Sequence, residues 1–415
     1  MTGKNQLELA FDYHVHVVSI RLAYSCERRI IDGKEVTSDK RYMVYLSKTN
    51  QSTRNYSWIC GGAIISDWFV LTSAACIEDE KYTVVIWGYR NYVKSTDLDK
   101  HECTRNCKRI VTTFVPEDYQ LTYNKVDEWS KLDIAIVKVE VPFDRPSSGC
   151  MYNPMKIPIN FDIKYENASV DVIMLGWGHS QKWTEIDDKR DYNQNTLRYA
   201  SAKIFNKEDC KKYFTKPDLS MLIDKYMICT YGESDLNDKG ERSQRKYFSN
   251  SSDTLEFFKE GNPFTVLVGC PNKYENTTEI FLSQSNDNDE FSLRILNATR
   301  RQGICQNDHG GPLVTWINDV EHVIGVASVF RVNSQSECVP PFLFTSTARN
   351  KMFIECILGE EDDGRRSSVC NKPASERGFN ILRTNVSWPD RHTSVTGNNV
   401  IYRRPQIPMN KYGIK

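Results

Sequence analysis

The chain has 415 residues, with 54 Lys and Arg set against 54 Asp and Glu, so its formal net charge at pH 7 is zero. That balance excludes a global basic field for nucleic acid and an acidic field for a cationic partner. No apolar run approaches the ~18 residues of a membrane span. Thirteen cysteines without paired C-x-x-C zinc spacing point to a disulfide framework from an oxidising compartment. An apolar fraction of 40% is low for a globular chain and implies polar insertions on an ordinary core. Seven N-x-S/T sequons, at Asn50, Asn55, Asn167, Asn250, Asn276, Asn297 and Asn385, agree with secretion but exceed chance only modestly. Residues 1–29 make a poor signal peptide, because Asp12, His14, His16 and Arg21 interrupt the apolar stretch. Secretion is expected nonetheless, on the cysteines.

Taken in order, Arg28-Arg29-Ile30-Ile31-Asp32-Gly33 reads as a dibasic pair ahead of an apolar segment, and residues 42–46 as a strand. Residues 57–76 read as two strands around a turn, with Gly61-Gly62 permitting close backbone approach. Residues 81–89 form a further strand, rich in β-formers. The polar stretch 97–131 holds Cys103 and Cys107. A local disulfide between them is the simpler reading and a metal pair the alternative, to which His101 adds too little for a site. Residues 131–139 alternate as a strand that follows Asp133, and 141–158 is a proline-rich linker containing Cys150. Residues 170–178 form the next strand, and 179–195 an exposed polar loop with His179 at its surface. Residues 232–255 are charged and rich in Ser and Asn. Short strands are expected at 263–269, 279–282 and 291–296, so this region carries a small sheet of its own. Residues 323–328 and 340–346 are strands, and 350–358 a helix with Phe353, Ile354, Ile357 and Leu358 at helical spacing. Residues 359–415 are unpatterned and are read as a mostly disordered tail.

Five stretches carry a resemblance. Cys305-Gln306-Asn307-Asp308-His309-Gly310-Gly311-Pro312-Leu313 resembles the nucleophile loop C-x-G-D-S-G-G-P-L of the trypsin/chymotrypsin-like serine proteases. Cys60-Gly61-Gly62-Ala63-Ile64-Ile65 and Val70-Leu71-Thr72-Ser73-Ala74-Ala75-Cys76 resemble that family's C-G-G-x-x-I and V-L-T-A-A-H-C. Leu132 to Val139 resembles D-I-A-L-L-K-L, and Leu175-Gly176-Trp177-Gly178 resembles T-G-W-G. The resemblance implies an all-β fold of two six-stranded antiparallel Greek-key barrels, with a C-terminal helix and long loop insertions. It implies an N-terminal, propeptide-like segment 1–29, a protease-like domain 30–358 with an insertion at 231–301, and the tail. It also implies bridges Cys60–Cys76, Cys210–Cys229 and Cys305–Cys338. Cys150 would tie the linker to Cys26, so that the first segment stays attached after cleavage. Cys356 and Cys370 could staple the start of the tail, and Cys270 has no assigned partner.

The same resemblance places the triad positions at Ala75, Asp133 and His309, and the oxyanion-hole positions at Asn307 and His309. The activation set is Arg29, Ile30 and Asp308: in active relatives, a cut after the Arg frees an α-amine that pairs with the Asp. The specificity pocket falls on Gly303, Ser328 and Phe330, with no acidic anchor at Gly303 and with Phe330 in a position to fill the slot. The chemistry needs a hydroxyl nucleophile, an imidazole to take its proton and a carboxylate to orient that imidazole. Ala75 and His309 supply neither of the first two. Asn at 307 is one of the few non-glycine residues that tolerates the left-handed backbone required there.

For His309 two readings stand open. Its ring fills the space left by the missing imidazole and donates to Asp133, or it faces solvent while backbone N–H groups satisfy Asp133. The function expected is that of a non-catalytic, secreted protease homologue acting by protein binding, in a proteolytic cascade. The alternative is an endopeptidase or other hydrolase with residual or unconventional activity through His309. A third reading is a ligand-binding or inhibitory module built on 231–301. No metal or cofactor, no nucleic-acid partner and a monomeric state are expected. The protein partner is unidentified.

Overall fold

The computed structural model describes residues 33–48, 58–77, 83–105, 107–119, 132–143, 150, 152–179, 183–184, 190–214, 217–232, 234–242, 303–359, 370–377 and 379–388, together with the backbone of five further strands, Val17–Ile20, Thr254–Lys259, Asn262–Leu267, Thr278–Gln284 and Phe291–Arg294. Two compact units divide the chain, one of Met1–Glu27 with Gln244–Arg300 and one of Arg28–Ser243 with Arg301–Lys415. In the smaller unit Thr254–Lys259 and Asn262–Leu267 form an antiparallel hairpin. A separate three-stranded sheet pairs Thr278–Gln284 with Val17–Ile20 on one side and Phe291–Arg294 on the other.

The larger unit contains two six-stranded antiparallel barrels. The first is built from β1 (Met43–Lys48), β2 (Ile59–Ile64), β3 (Phe69–Thr72), β4 (Thr83–Ile86), β5 (Lys108–Pro116) and β6 (Ala135–Val139). Their order is β5-β4-β1-β2-β3-β6, and β6 closes back on β5. The second uses β7 (Asp171–Gly176), β8 (Arg198–Ile204), β9 (Met227–Tyr231), β10 (Pro312–Ile317), β11 (Val320–Val332) and β12 (Cys338–Ser346). Its order is β9-β12-β11-β10-β7-β8, closed by β8 on β9. Both barrels therefore have the same cyclic strand order, one Greek-key plan used twice.

Period-2 patterning explains how each strand serves two cores. In β1, Met43 and Tyr45 join a core shared with Ile173, Leu175 and Trp177 of the second barrel, while Val44 and Leu46 pack in a separate cluster with Val70 and Val137. In β7 the roles alternate likewise: Val172 and Met174 turn into the second barrel's own cluster, away from Ile173 and Leu175. Each such side chain contributes about 1.5–3 kcal/mol by leaving water. Among the helices of this unit are α1 (Lys207–Lys211), α2 (Pro217–Tyr226) and α3 (Lys351–Leu358). Asn206 caps α1, its side chain accepting from the Glu208 N–H at 2.8 Å. In α3, Phe353, Ile354 and Ile357 reach the shared core.

Within the segment 359–415, expected to be a mostly disordered tail, β13 (Ile381–Asn385) pairs antiparallel with β5, from Ile381 opposite Pro116 to Asn385 opposite Thr112. Trp388 follows it and donates from Nε1 to the Ile110 carbonyl at 2.7 Å. β5 offers an open edge on that side, and the Ile-Leu-Arg-Thr-Asn run has the side chains to pair with it. The cysteines of the 97–158 region differ from expectation. Cys103 bonds Cys150, not Cys107, and Cys150 is not left for Cys26. A short helix, Glu102–Arg105, presents Cys103 to Trp87, whose carbonyl lies 3.4 Å from its sulfur, while Cys107 packs against the shared core. Gly88, at φ 78°, makes room: a Cβ there would sit 3.0 Å from that of Cys150. Further disulfides join Cys60 to Cys76, Cys210 to Cys229, Cys305 to Cys338 and Cys356 to Cys370. Cys26 and Cys270 lie outside the described residues.

Candidate functional site

The site lies where the ends of β3, β6 and β11 meet the loop that runs from Cys305 into β10. Asp133, just ahead of β6, is fully buried. Its Oδ1 accepts from the Ser73 hydroxyl and from the Ala75 N–H at 3.0 Å, and its Oδ2 accepts from the Ser328 hydroxyl at 2.6 Å. Ser73 and Ala75 occupy their places because β3 ends at Thr72, whose hydroxyl donates to the Gly61 carbonyl at 2.8 Å, and a one-turn 3-10 helix, Ala74–Ile77, begins there. A buried carboxylate with this set of donors is satisfied without any imidazole.

His309 points inward from the loop. Its Nε2 lies 3.9 Å from Asp133 Oδ2, too far for a hydrogen bond, and has no other partner. The ring meets Phe330 edge-on at 6.0 Å, and its side chain remains 25% exposed. Burial holds this imidazole below its ordinary pKa, against the opposing pull of Asp133 and of the Ser328 carbonyl. The geometry thus matches neither open reading in full. The ring turns toward Asp133 without bonding it, and hydroxyls do most of what backbone N–H groups were expected to do. Ser73 is the residue that sequence reasoning missed. Its signal was present, since the motif resembling V-L-T-A-A-H-C has Ser73 in place of its first alanine.

The rest of the loop is held on both sides. Asn307 adopts φ 72°, and its Nδ2 donates to Asn193 Oδ1 at 2.8 Å and faces His179 Nε2 at 3.3 Å. His179, expected at the surface, is buried and lies tilted against Tyr192, with ring centroids 5.4 Å apart. The correction follows from Asn307: its amide gives the imidazole a partner inside the molecule. Asp308 is buried, with Oδ1 accepting from the Gly178 N–H at 2.8 Å and Oδ2 from the Cys305 N–H at 3.0 Å. Burial pushes its carboxyl up to about 7, against those two donors. Gly178 lets the carboxylate approach, since a Cβ there would come within 2.5 Å of it. Arg29 and Ile30 lie outside the described residues.

The positions expected to form a specificity pocket are packed from within. A Cβ on Gly303 would run into the ring of Phe342, which is fully buried. Phe342 packs in one cluster with Phe330, Trp183, Ile304 and the bridged Cys305 and Cys338. Phe330 meets Trp183 at 6.0 Å between ring centroids. Ser328 is taken up by Asp133. Phe342 is the second residue the sequence reading missed, since residues 340–346 were read only as a strand. Among the described residues no group of three or more His, Cys, Asp or Glu could hold a metal ion, and no helix is long and apolar enough to cross a membrane.

Comparison with known proteins gives a match of residues 30–240 to the model of the Trypsin family. Phenoloxidase-activating factor 3 of Holotrichia diomphalia is 23% identical over 244 residues, covering 56% of this chain and 64% of that protein. Coagulation factor XI of Bos taurus is 25% identical over 186 residues, covering 44% and 26%. Glucanase inhibitor protein 1 of Phytophthora infestans is 24% identical over 184 residues, covering 44% and 57%. The chain thus spans between a quarter and two thirds of the length of these relatives.

Proposed function

Because the chain belongs to the trypsin family of serine proteases yet lacks two of the three groups that family's chemistry uses, we propose that it is a non-catalytic member that acts by binding another protein. The observation that carries this reading is the closure of Asp133 by Ser73, Ala75 and Ser328. The carboxylate that would orient a catalytic imidazole already accepts three hydrogen bonds from other groups. The two hydroxyls that meet Asp133, those of Ser73 and Ser328, are both fully buried and so do not replace the missing nucleophile. His309 makes no hydrogen bond to Asp133 that would raise its basicity. Phe342 removes the space in which a substrate side chain would be held.

The chain is secreted, as five disulfides among the described residues favour. Its protease-like domain spans residues 30–358, interrupted by the insertion 231–301. The names of two relatives, an activating factor and an inhibitor protein, favour action on a second protein, and the chain's place is in a proteolytic cascade. The test is stepwise reversion. Ala75→His with His309→Ser supplies base and nucleophile, Ser73→Ala frees Asp133, and Phe342→Gly opens the pocket. The complete set is expected to cleave a mixed peptide library at least about 100-fold faster than the native chain, consistent with the scale of triad effects. A native chain that already cleaves as fast as the reverted one ends the proposal.

A further inference from the structure

The loop from Cys305 to Gly311 has two residues in the left-handed region, Asn307 at φ 72° and Gly310 at φ 79°. Such a path persists only where its surroundings fix it. In relatives of the resembled kind, a new α-amine released by cleavage supplies that fixation through the Asp beside the nucleophile. Here the loop is pinned by contacts of another origin. Gln306 Oε1 accepts from the Thr184 N–H at 2.8 Å and from its hydroxyl at 3.0 Å, while the Gln306 carbonyl accepts from the His179 N–H at 2.8 Å. Asn307 Nδ2 donates to Asn193 and meets the buried His179. Both oxygens of Asp308 already receive a backbone N–H. The His309 carbonyl accepts from the Gly61 N–H at 2.7 Å, and the Gly310 N–H donates to Ala327 at 2.9 Å.

All of these contacts are made between described residues, and Arg29 and Ile30 lie outside those. A glycine at 307, as in the resembled motif, has no side chain with which to reach Asn193. We propose that the side chains of Gln306 and Asn307, strapped to Thr184, Asn193 and His179, fix this loop in its final form without cleavage after Arg29. The chain's site-facing surface is then complete in the uncut protein. This claim concerns the order of the loop and stands apart from what the chain binds.

Hydrogen exchange of the amides of residues 306–310 tests it, in three full-length chains. One carries Arg29→Gln and stays uncut. One has a site-specific protease sequence inserted between Arg29 and Ile30 and is cut to leave Ile30 as a new N-terminus. One carries Gln306→Ala and Asn307→Gly on the uncut background. The uncut and cut chains are expected to exchange within tenfold of each other, and the double variant at least tenfold faster than either. Slowing of more than tenfold on cutting overturns the proposal, and so does unchanged protection in a folded double variant. Should the double variant fail to fold, the comparison of cut with uncut chain decides alone.

Discussion

Asp133 and Asp308 are two buried carboxylates with opposite fates. Asp133 collects two hydroxyls and an N–H, whereas Asp308 has two backbone N–H groups and no cation among its described partners. Ser73→Ala is therefore expected to destabilise the fold by about 1–3 kcal/mol, because it strips a donor from a buried anion. His309→Ala is expected to cost less than about 1 kcal/mol, because Nε2 has no hydrogen bond to lose. Urea unfolding of the two variants checks the order, and a larger loss at 309 than at 73 would contradict it. The Asp308 carboxyl binds its proton more tightly in the folded chain, at about 7 against an ordinary 3.8. Stability from this group is complete below pH 4 and is lost as pH rises through about 7, by up to about 4 kcal/mol. Urea midpoints of the uncut chain between pH 5 and 8 are expected to fall with rising pH, and Asp308→Asn to flatten that part of the curve. His309, held low, acts in the opposite sense: its contribution is present above pH 6.5 and is lost as pH falls.

At the scale of elements, the barrels were legible because each strand alternates between two cores, and β-branched runs bounded by turns declare that period directly. The residues around Gly61 and the loop to Gly311 were legible for a different reason. Their backbones touch, a Cβ on Gly61 falling 2.6 Å from Gly311 Cα, so the pattern tolerates little else. β13 was hidden, since five residues without alternation in a polar tail do not announce a partner strand far earlier in the chain. The Cys103–Cys150 bridge was hidden likewise, because spacing favours the nearer Cys107 and only the fold brings Cys150 under Gly88. Removing residues 379–415 is expected to free the outer edge of β5 and raise amide exchange at Thr112 to Val115 at least tenfold. Val386, whose N–H donates to the Val111 carbonyl at 2.9 Å, and Trp388 both hold that edge. Unchanged exchange there would show that β13 contributes nothing to the barrel.

For the whole molecule, the frame is that of the trypsin family. The proposal that it is non-catalytic starts from Ala75 and His309, which the sequence alone displays. Its other supports, Ser73 meeting Asp133 and Phe342 meeting Gly303, are pairs that only the folded chain creates. The partner is a matter of surface, on which motifs built for the interior are silent. The most direct test of the central claim is peptide-library hydrolysis by the purified native chain, cut and uncut before Ile30, beside a His309→Ala control. No turnover above that of the control is predicted in either form. Turnover by the native chain that His309→Ala abolishes would contradict the account and make His309 a catalytic residue.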